Sequence, residues 1–248
     1  MTIDHSGKTS LVTGAGSGIG AACARALADS GSFVWVNDID PHKAAKVADE
    51  IGGLPLSGDV AEPGPWLQPA IDRGELHTLV HNAGYDVATE VGKTDRDAFD
   101  RLLKVQLSGP FEMTQRLLVS LKNAQGATII HIASVHARAT NPEMSAYAAA
   151  KGGLVAMINS MAQDLGKFRI RVLTVSPGFI DTVLIDQWAD ATPDPEGTRQ
   201  FANSLHPLGR IGRPEDVGSL VSFLASPYAE FINATNVVID GGLSTRLF

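Results

Sequence analysis

The chain has one cysteine, Cys23, in 248 residues. No internal disulfide can form, which suits a reducing compartment. Aromatic residues make up only 6% of it. No apolar run reaches the ~18 residues that a membrane span requires. The first residues, Met1-Thr2-Ile3-Asp4-His5, lack the basic-then-apolar pattern of a secretory signal, so a cytoplasmic location is expected. No block of like charge is present, and the net charge of −7 argues against nucleic acid as a partner. The seven histidines are scattered without ligand spacing, so no metal site is expected. Asn233-Ala234-Thr235 matches a glycosylation sequon but is read as a chance match without a secretory route.

Other features are abundant. Apolar residues form 44% of the chain and mean hydropathy is +0.05, enough for a large core. Strand-like apolar runs near 9–13, 33–37, 53–57, 77–81, 127–133, 170–176 and 236–240 alternate with helix-like stretches at 18–30, 41–51, about 95–122, 145–166 and 214–225. That alternation predicts a doubly wound parallel sheet of seven strands, Rossmann-like, with helices on both faces. A single domain over 1–248 is expected. Prolines at 63, 65 and 69 leave room for only a short helix between Asp59 and His77. The segment 179–213 is the least regular and reads as a loop-rich insertion that builds the substrate site. Cys23 falls on the apolar face of the first helix and reads as core filler.

The first chemical signal is Thr13-Gly14-Ala15-Gly16-Ser17-Gly18-Ile19-Gly20, between the first strand and the first helix. Closely spaced glycines there permit positive φ and close approach of the backbone to a ligand, while the helix start offers free N–H groups to a pyrophosphate. Asp38 ends the second strand, 18 residues past Gly20. A carboxylate at that offset accepts hydrogen bonds from an adenosine ribose and repels a 2′-phosphate. No Arg or Lys occupies the glycine turn and Ile39 follows the acid, so NAD (NADH) is expected and NADP disfavoured.

The second signal is Tyr147-Ala148-Ala149-Ala150-Lys151. Tyr and Lys four apart share one helix face. An ammonium near a phenol favours the phenolate, so the pair can work as a general acid/base. Ser134 ends the fifth strand, where its hydroxyl can hold a carbonyl oxygen beside the phenol.

Together with Asp59-Val60, Asn82-Ala83-Gly84, Pro177-Gly178 and Asp240-Gly241-Gly242, these motifs make the chain resemble the short-chain dehydrogenase/reductase family from Gly7 to about Ser244. The resemblance implies that Gly14, Ser17, Gly18, Ile19 and Gly20 line the pyrophosphate. It further implies that Asp38 binds the ribose, Asp59 and Val60 meet adenine, and Asn82, Ala83 and Gly84 run along the cofactor. Pro177, Gly178, Ile180 and Thr182 would cradle the nicotinamide, and Lys151 would hold its ribose beside Tyr147. Ser134, Tyr147 and Lys151 would be catalytic, with the substrate a small alcohol or carbonyl compound and the enzyme a homotetramer built across the long helices.

The family pattern has an Asn where this chain has Gln106, in Val105-Gln106-Leu107-Ser108-Gly109. Gln106 keeps the amide and adds a methylene, and activity is expected to survive. His81 stands where an Asn is common and reads as a strand-end histidine bonding neighbouring backbone. Candidate substrate residues are His136, Asn141, Gln187 and Trp188, with Met144, Phe179 and His206 also near. Their polarity leans toward a hydroxylated substrate such as a sugar. A 3-oxoacyl-thioester reductase is the alternative, and a non-catalytic NAD-binding regulator the remote one.

Overall fold

The computed structural model describes residues 2–245; Met1 and residues 246–248 of the expected domain lie outside it. Seven strands form one parallel sheet in the order β3-β2-β1-β4-β5-β6-β7. They are β1 (Thr9–Val12), β2 (Phe33–Asp38), β3 (Leu54–Ser57), β4 (Thr78–His81), β5 (Thr128–Ile132), β6 (Arg171–Pro177) and β7 (Asn236–Ile239). The central strands β1, β4 and β5 are buried along their whole length, as continuous apolar runs require when helices cover both faces. The edge strands β3 and β7 are more exposed.

On one face lie α1 (Gly18–Asp29), α2 (Pro41–Ile51) and α10 (Pro214–Ala225), sharing a core with Val12, Val36, Val80, Ile130 and Val175. On the other lie α5 (Gly109–Arg116), α6 (Leu118–Asn123) and α7 (Ser145–Gly166), packed on Leu11, Leu79, Ile129 and Val172, with α4 (Arg96–Leu103) packed on α7 through Leu102 against Ala146 and Ala150. Only the five-residue α3 (Gln68–Asp72) fits into the proline-rich stretch. Cys23 is buried in the first core.

Local chemistry sets the ends. Asp40 caps α2, accepting from His42 N at 2.9 Å and from Lys43 N, with Pro41 at the first helical position. Gly52 closes that helix at φ 66°.

Two segments differ from the sequence expectation. The helix expected over 95–122 is broken: Lys104–Ser108 forms a π turn between α4 and α5, and Leu117 separates α5 from α6. Gly109, just past the π turn, allows close packing there. A Cβ on it would meet Val60 O at 2.4 Å and Lys104 O at 2.7 Å. The second difference is the stretch 179–213, which is not mainly loop. It carries α8 (Val183–Asp190) and α9 (Pro195–Leu205). Asp194 caps α9 through Gly197 N, with Pro195 at its first position, where proline favours a helix start. Among the described residues no helix is long and apolar enough to cross a membrane, and no group of three His, Cys, Asp or Glu side chains is placed to hold a metal ion.

Candidate active site

Strand order reverses between β1 and β4, and the crevice beyond their carboxyl ends is where open α/β sheets bind ligands. The glycine turn leaves β1 there and Asn82–Gly84 leave β4 beside it. Gly14 and Gly18 adopt φ of 59° and 52°, a region open to glycine and strained for other residues. A Cβ on Gly20 would sit 2.2 Å from Gly14 O. Asn82 locks the turn, its Nδ2 donating to Thr13 O and Gly14 O, each at 3.0 Å. Its amide is thus spent on backbone, while Ala83 backs directly onto Gly14.

Asp38 faces the same turn: its Oδ2 accepts from Gly16 N and its Oδ1 from Asp40 N, each at 3.0 Å. Asp59 accepts from Ala61 N at 2.9 Å and pairs with Arg101 of α4. Burial is the largest single effect and raises the Asp59 carboxyl; the Arg101 hydrogen bond, the Ala61 N–H and the Arg101 and Lys104 charges together outweigh it and hold the group below the usual range. Lys104 on the π turn pairs with Glu62 in the same way. These two ion pairs tie the helix to the loop that carries Asp59 and Val60. They were invisible in the sequence because 42 residues separate each pair.

Across the crevice, Ser134 caps a short 3₁₀ turn, accepting from His136 N at 3.2 Å. Its hydroxyl lies close enough to the Tyr147 phenol to favour the phenolate. Alanines around Tyr147 keep α7 regular and unobstructed. Lys151 is buried one turn on, and its Nζ donates to Ile132 O at 2.9 Å, lying 5.4 Å from the Tyr147 ring centre.

The electrostatics differ from the expectation that Lys151 lowers Tyr147. Burial pushes the phenol up to about 12; the Ser134 hydroxyl opposes that, and the Asp86 carboxylate adds to it. Burial pushes the Lys151 ammonium down to about 7. The lysine points to a backbone carbonyl here, so its charge does not offset the desolvation of the phenol.

Gln106 is buried on the π turn. Its Nε2 donates to Tyr85 O at 2.6 Å, and its Oε1 lies where a Cβ on Gly84 would touch it at 2.7 Å. The extra methylene thus lets the amide hold the loop after β4. His81 does not bond backbone: its Nε2 lies 3.0 Å from Thr114 Oγ1, and its ring stacks on His131 at 4.7 Å.

His136 sits edge-on to Tyr147, with ring centres 5.6 Å apart, and is fixed through Nδ1 to Thr140 Oγ1 at 2.8 Å. Trp188 stacks on Phe179 at 5.6 Å, and Phe179 meets the buried His206 at 5.8 Å, forming an aromatic wall. Asn141 and Gln187 are exposed, and no described contact joins them to Ser134 or Tyr147. Pro177 and Gly178 end β6, Gly178 N donating to Ile239 O at 3.1 Å. Ile180 is buried in the core. Thr182 begins α8 and lies over the glycine turn, 3.3 Å from a Cβ position on Gly18. Arg199 of α9 pins this segment, pairing with Asp181 at 3.3 Å and with Asp186. Asp86 and Arg199 were missed from the sequence; no motif surrounds either.

A family model described as enoyl-(acyl carrier protein) reductase matches residues 14–244. The chain belongs to the short-chain dehydrogenase/reductase family, a family of oxidoreductases. L-fucose dehydrogenase of Rattus norvegicus is 36% identical, with 96% of this chain and 90% of that protein covered. The crystal structure of a gluconate 5-dehydrogenase from Burkholderia cenocepacia J2315, in complex with NADP and tartrate, superposes with a TM-score of 0.90. It is 28% identical, with 99% of this chain and 98% of that chain covered. A 3-ketoacyl-(acyl-carrier-protein) reductase from Brucella melitensis, complexed with NADH, gives a TM-score of 0.86. It is 30% identical, with 96% and 99% of the two chains covered.

Proposed function

We propose that this oxidoreductase transfers hydride between NAD(H) and a secondary alcohol or carbonyl of a small hydroxylated substrate, with Ser134, Tyr147 and Lys151 carrying the chemistry. The observation that carries this is Tyr147 beside Ser134, with Lys151 one helical turn on and 5.4 Å from its ring, across the crevice from a glycine turn locked by Asn82.

The residues fit a dinucleotide. Gly14, Ser17, Gly18, Ile19 and Gly20 would take the pyrophosphate at the start of α1. Asp38 would accept from the adenosine ribose, Asp59 and Val60 would meet adenine, and Ala83 and Gly84 would flank the chain of the cofactor. Pro177, Gly178, Ile180 and Thr182 would close over the nicotinamide. Asp38 aims its carboxylate at the turn, which supports NAD over NADP. A bound nicotinamide supplies the hydride acceptor or donor.

The protein supplies position and the proton. Ser134 and Tyr147 together donate to one substrate oxygen, and Ser134 alone contributes ~2–4 kcal/mol if it acts as one oxyanion donor. In reduction the phenol, held protonated at about 12, gives its proton to that oxygen. In oxidation the phenolate must receive the alcohol proton; Lys151, 5.4 Å from the phenol ring centre, is the cation placed beside it. Lys151 spends one N–H on Ile132 O and has two left, of which one can reach the nicotinamide ribose. Gln106 holds the Tyr85 loop against this site.

A sugar or polyol is supported by His136, by the Phe179–Trp188 wall and by the likeness to L-fucose dehydrogenase. A 3-oxoacyl-thioester substrate is the second reading, favoured by the Brucella melitensis structure. A homotetramer and a cytoplasmic setting complete the proposal. Phe111 and Val119, exposed on α5 and α6, support an interface there, whereas Leu102 is buried against α7 and Met161 is consumed by the core. The test is NADH formation with sugars, polyols and secondary alcohols, and NADH or NADPH consumption with acetoacetyl thioester, using wild type and Tyr147→Phe. Loss of about a thousandfold or more in the variant is expected; equal rates would remove Tyr147 as the acid/base.

A further inference from the structure

Beneath Lys151 the sheet carries two histidines that this chemistry does not use. His81 ends β4, and His131 sits at the matching position of β5 across the parallel register. Their rings stack 4.7 Å apart at 16° between planes. Both are buried, His131 completely. Leu79 and Ile129, two residues back on each strand, belong to the core under α5 and α7. Strand alternation therefore turns both imidazoles toward that layer. Lys151 enters the same layer from α7, and its Nζ donates to the carbonyl of Ile132, the neighbour of His131.

Donor counting fixes one ring. Thr114 Oγ1 gives its single proton to Pro110 O at 2.9 Å, so toward His81 Nε2 at 3.0 Å it can only accept. His81 therefore carries its proton on Nε2 and a lone pair on Nδ1. That lone pair has no partner, and neither nitrogen of His131 has one. Stacked rings cannot bond each other, because their lone pairs and N–H groups lie in the ring planes. Buried polar atoms are satisfied almost without exception, and ordered water takes up what the protein leaves.

We propose that the edge of the His81–His131 stack holds a buried water that gives Lys151 a second hydrogen-bond acceptor, making both histidines positioning residues for that lysine. The water donates to His81 Nδ1, accepts from Lys151 Nζ and bonds one nitrogen of His131. It thereby has the two to four polar partners that an interior water needs. Burial pushes His131 down to about 3 and His81 well below its ordinary value, so both rings stay neutral beside an ammonium. The titratable groups around Lys151 are Tyr147, whose ring centre lies 5.4 Å from Nζ, and His131, which its charge reaches; His81 is stacked beyond His131. The π turn, which packs on α7 through Leu107 against Gly153, contributes the uncharged Gln106. The added acceptor favours the charged lysine, the form that a phenolate at Tyr147 requires.

The role for Lys151 rests on the proposed reaction; the water site does not, and it can be read without substrate or cofactor. NMR of protein labelled with ¹⁵N-histidine reports the tautomer and hydrogen bonding of each ring, with signals assigned through His81→Asn and His131→Asn. NMR of ¹⁵N-lysine reports the Lys151 titration midpoint. His81 is expected as the Nε2–H tautomer with a hydrogen-bonded Nδ1. His131→Leu is expected to abolish that bond and lower the Lys151 midpoint by about one pH unit, while His131→Asn, whose amide can hold the same water, shifts it by less than about half a unit. A free Nδ1 lone pair in wild type, or an unmoved Lys151 midpoint in His131→Leu, overturns the proposal. If His131→Leu does not fold, the wild-type Nδ1 signal decides alone. Intact NMR signatures in a protein inactive on every alcohol and thioester would strike the reaction and leave the water site standing.

Discussion

Lowering the pH from about 7 to about 5 should cost this protein stability chiefly through its buried imidazole pair. His131 has an ordinary value of 6.5 and is pushed down to about 3 by burial, with the Lys151 charge adding to the effect. The unfolded chain takes up a proton on this histidine below 6.5, whereas the folded chain stays neutral until about 3. Stability is therefore full above 6.5 and is lost as the pH falls toward the folded value. Each pH unit inside that window is worth about 1.4 kcal/mol, so at pH 5 the loss is about 2 kcal/mol. The figure at pH 5 holds for any folded value well below 5. His81, shifted in the same direction by burial and by His131, adds a loss of the same sign. Other groups do not imitate the effect. Lys151 falls from 10.5 to about 7, so its contribution changes only above neutrality. The lowered carboxylates begin at 3.8 and titrate below the window. His5 and His77 are also lowered, but equally in wild type and variant. Urea unfolding at both pH values should show His131→Asn losing about 2 kcal/mol less than wild type between them, and His81→Asn/His131→Asn losing less again. Identical pH dependence in wild type and both variants would refute the reasoning, because the rings would then be charged or solvated in the fold.

Gly20→Ala places a methyl 2.2 Å from Gly14 O and 2.5 Å from Asn82 Nδ2, so backbone must move; a loss of about 1–3 kcal/mol and of NADH binding by calorimetry is expected, and retained affinity would count against the turn as the dinucleotide site. Asp38→Asn removes the charge that repels a 2′-phosphate. NADH should bind about tenfold more weakly while NADPH does not weaken, and equal losses for both would clear Asp38 of any part in cofactor choice. Gln106→Asn withdraws the amide from Tyr85 O, now at 2.6 Å; turnover should fall about fivefold through a loosened loop. An inactive wild type revived by that change would show that Gln106 disables the site.

The sequence alone determined the parallel seven-stranded sheet, because strands covered on both faces carry adjacent apolar residues, as Leu11-Val12, Leu79-Val80 and Ile129-Ile130 do. It also determined the glycine turn, Asp38 and the Ser134–Tyr147–Lys151 set, since each depends on local spacing: positive φ at Gly14 and Gly18, a strand end, one helix face. Only the tertiary structure decided where Lys151 spends its proton, because Ile132 O comes from another element. It decided that α4 breaks into a π turn against Val60, and that Arg101 and Lys104 reach Asp59 and Glu62. It turned the expected loop at 179–213 into two helices pinned by Arg199. It stacked His81 on His131, a contact set by strand register. Spacing along a chain fixes what neighbours three or four residues apart can do. Desolvation and long-range pairing depend on which distant atoms pack together, and no window of sequence contains them.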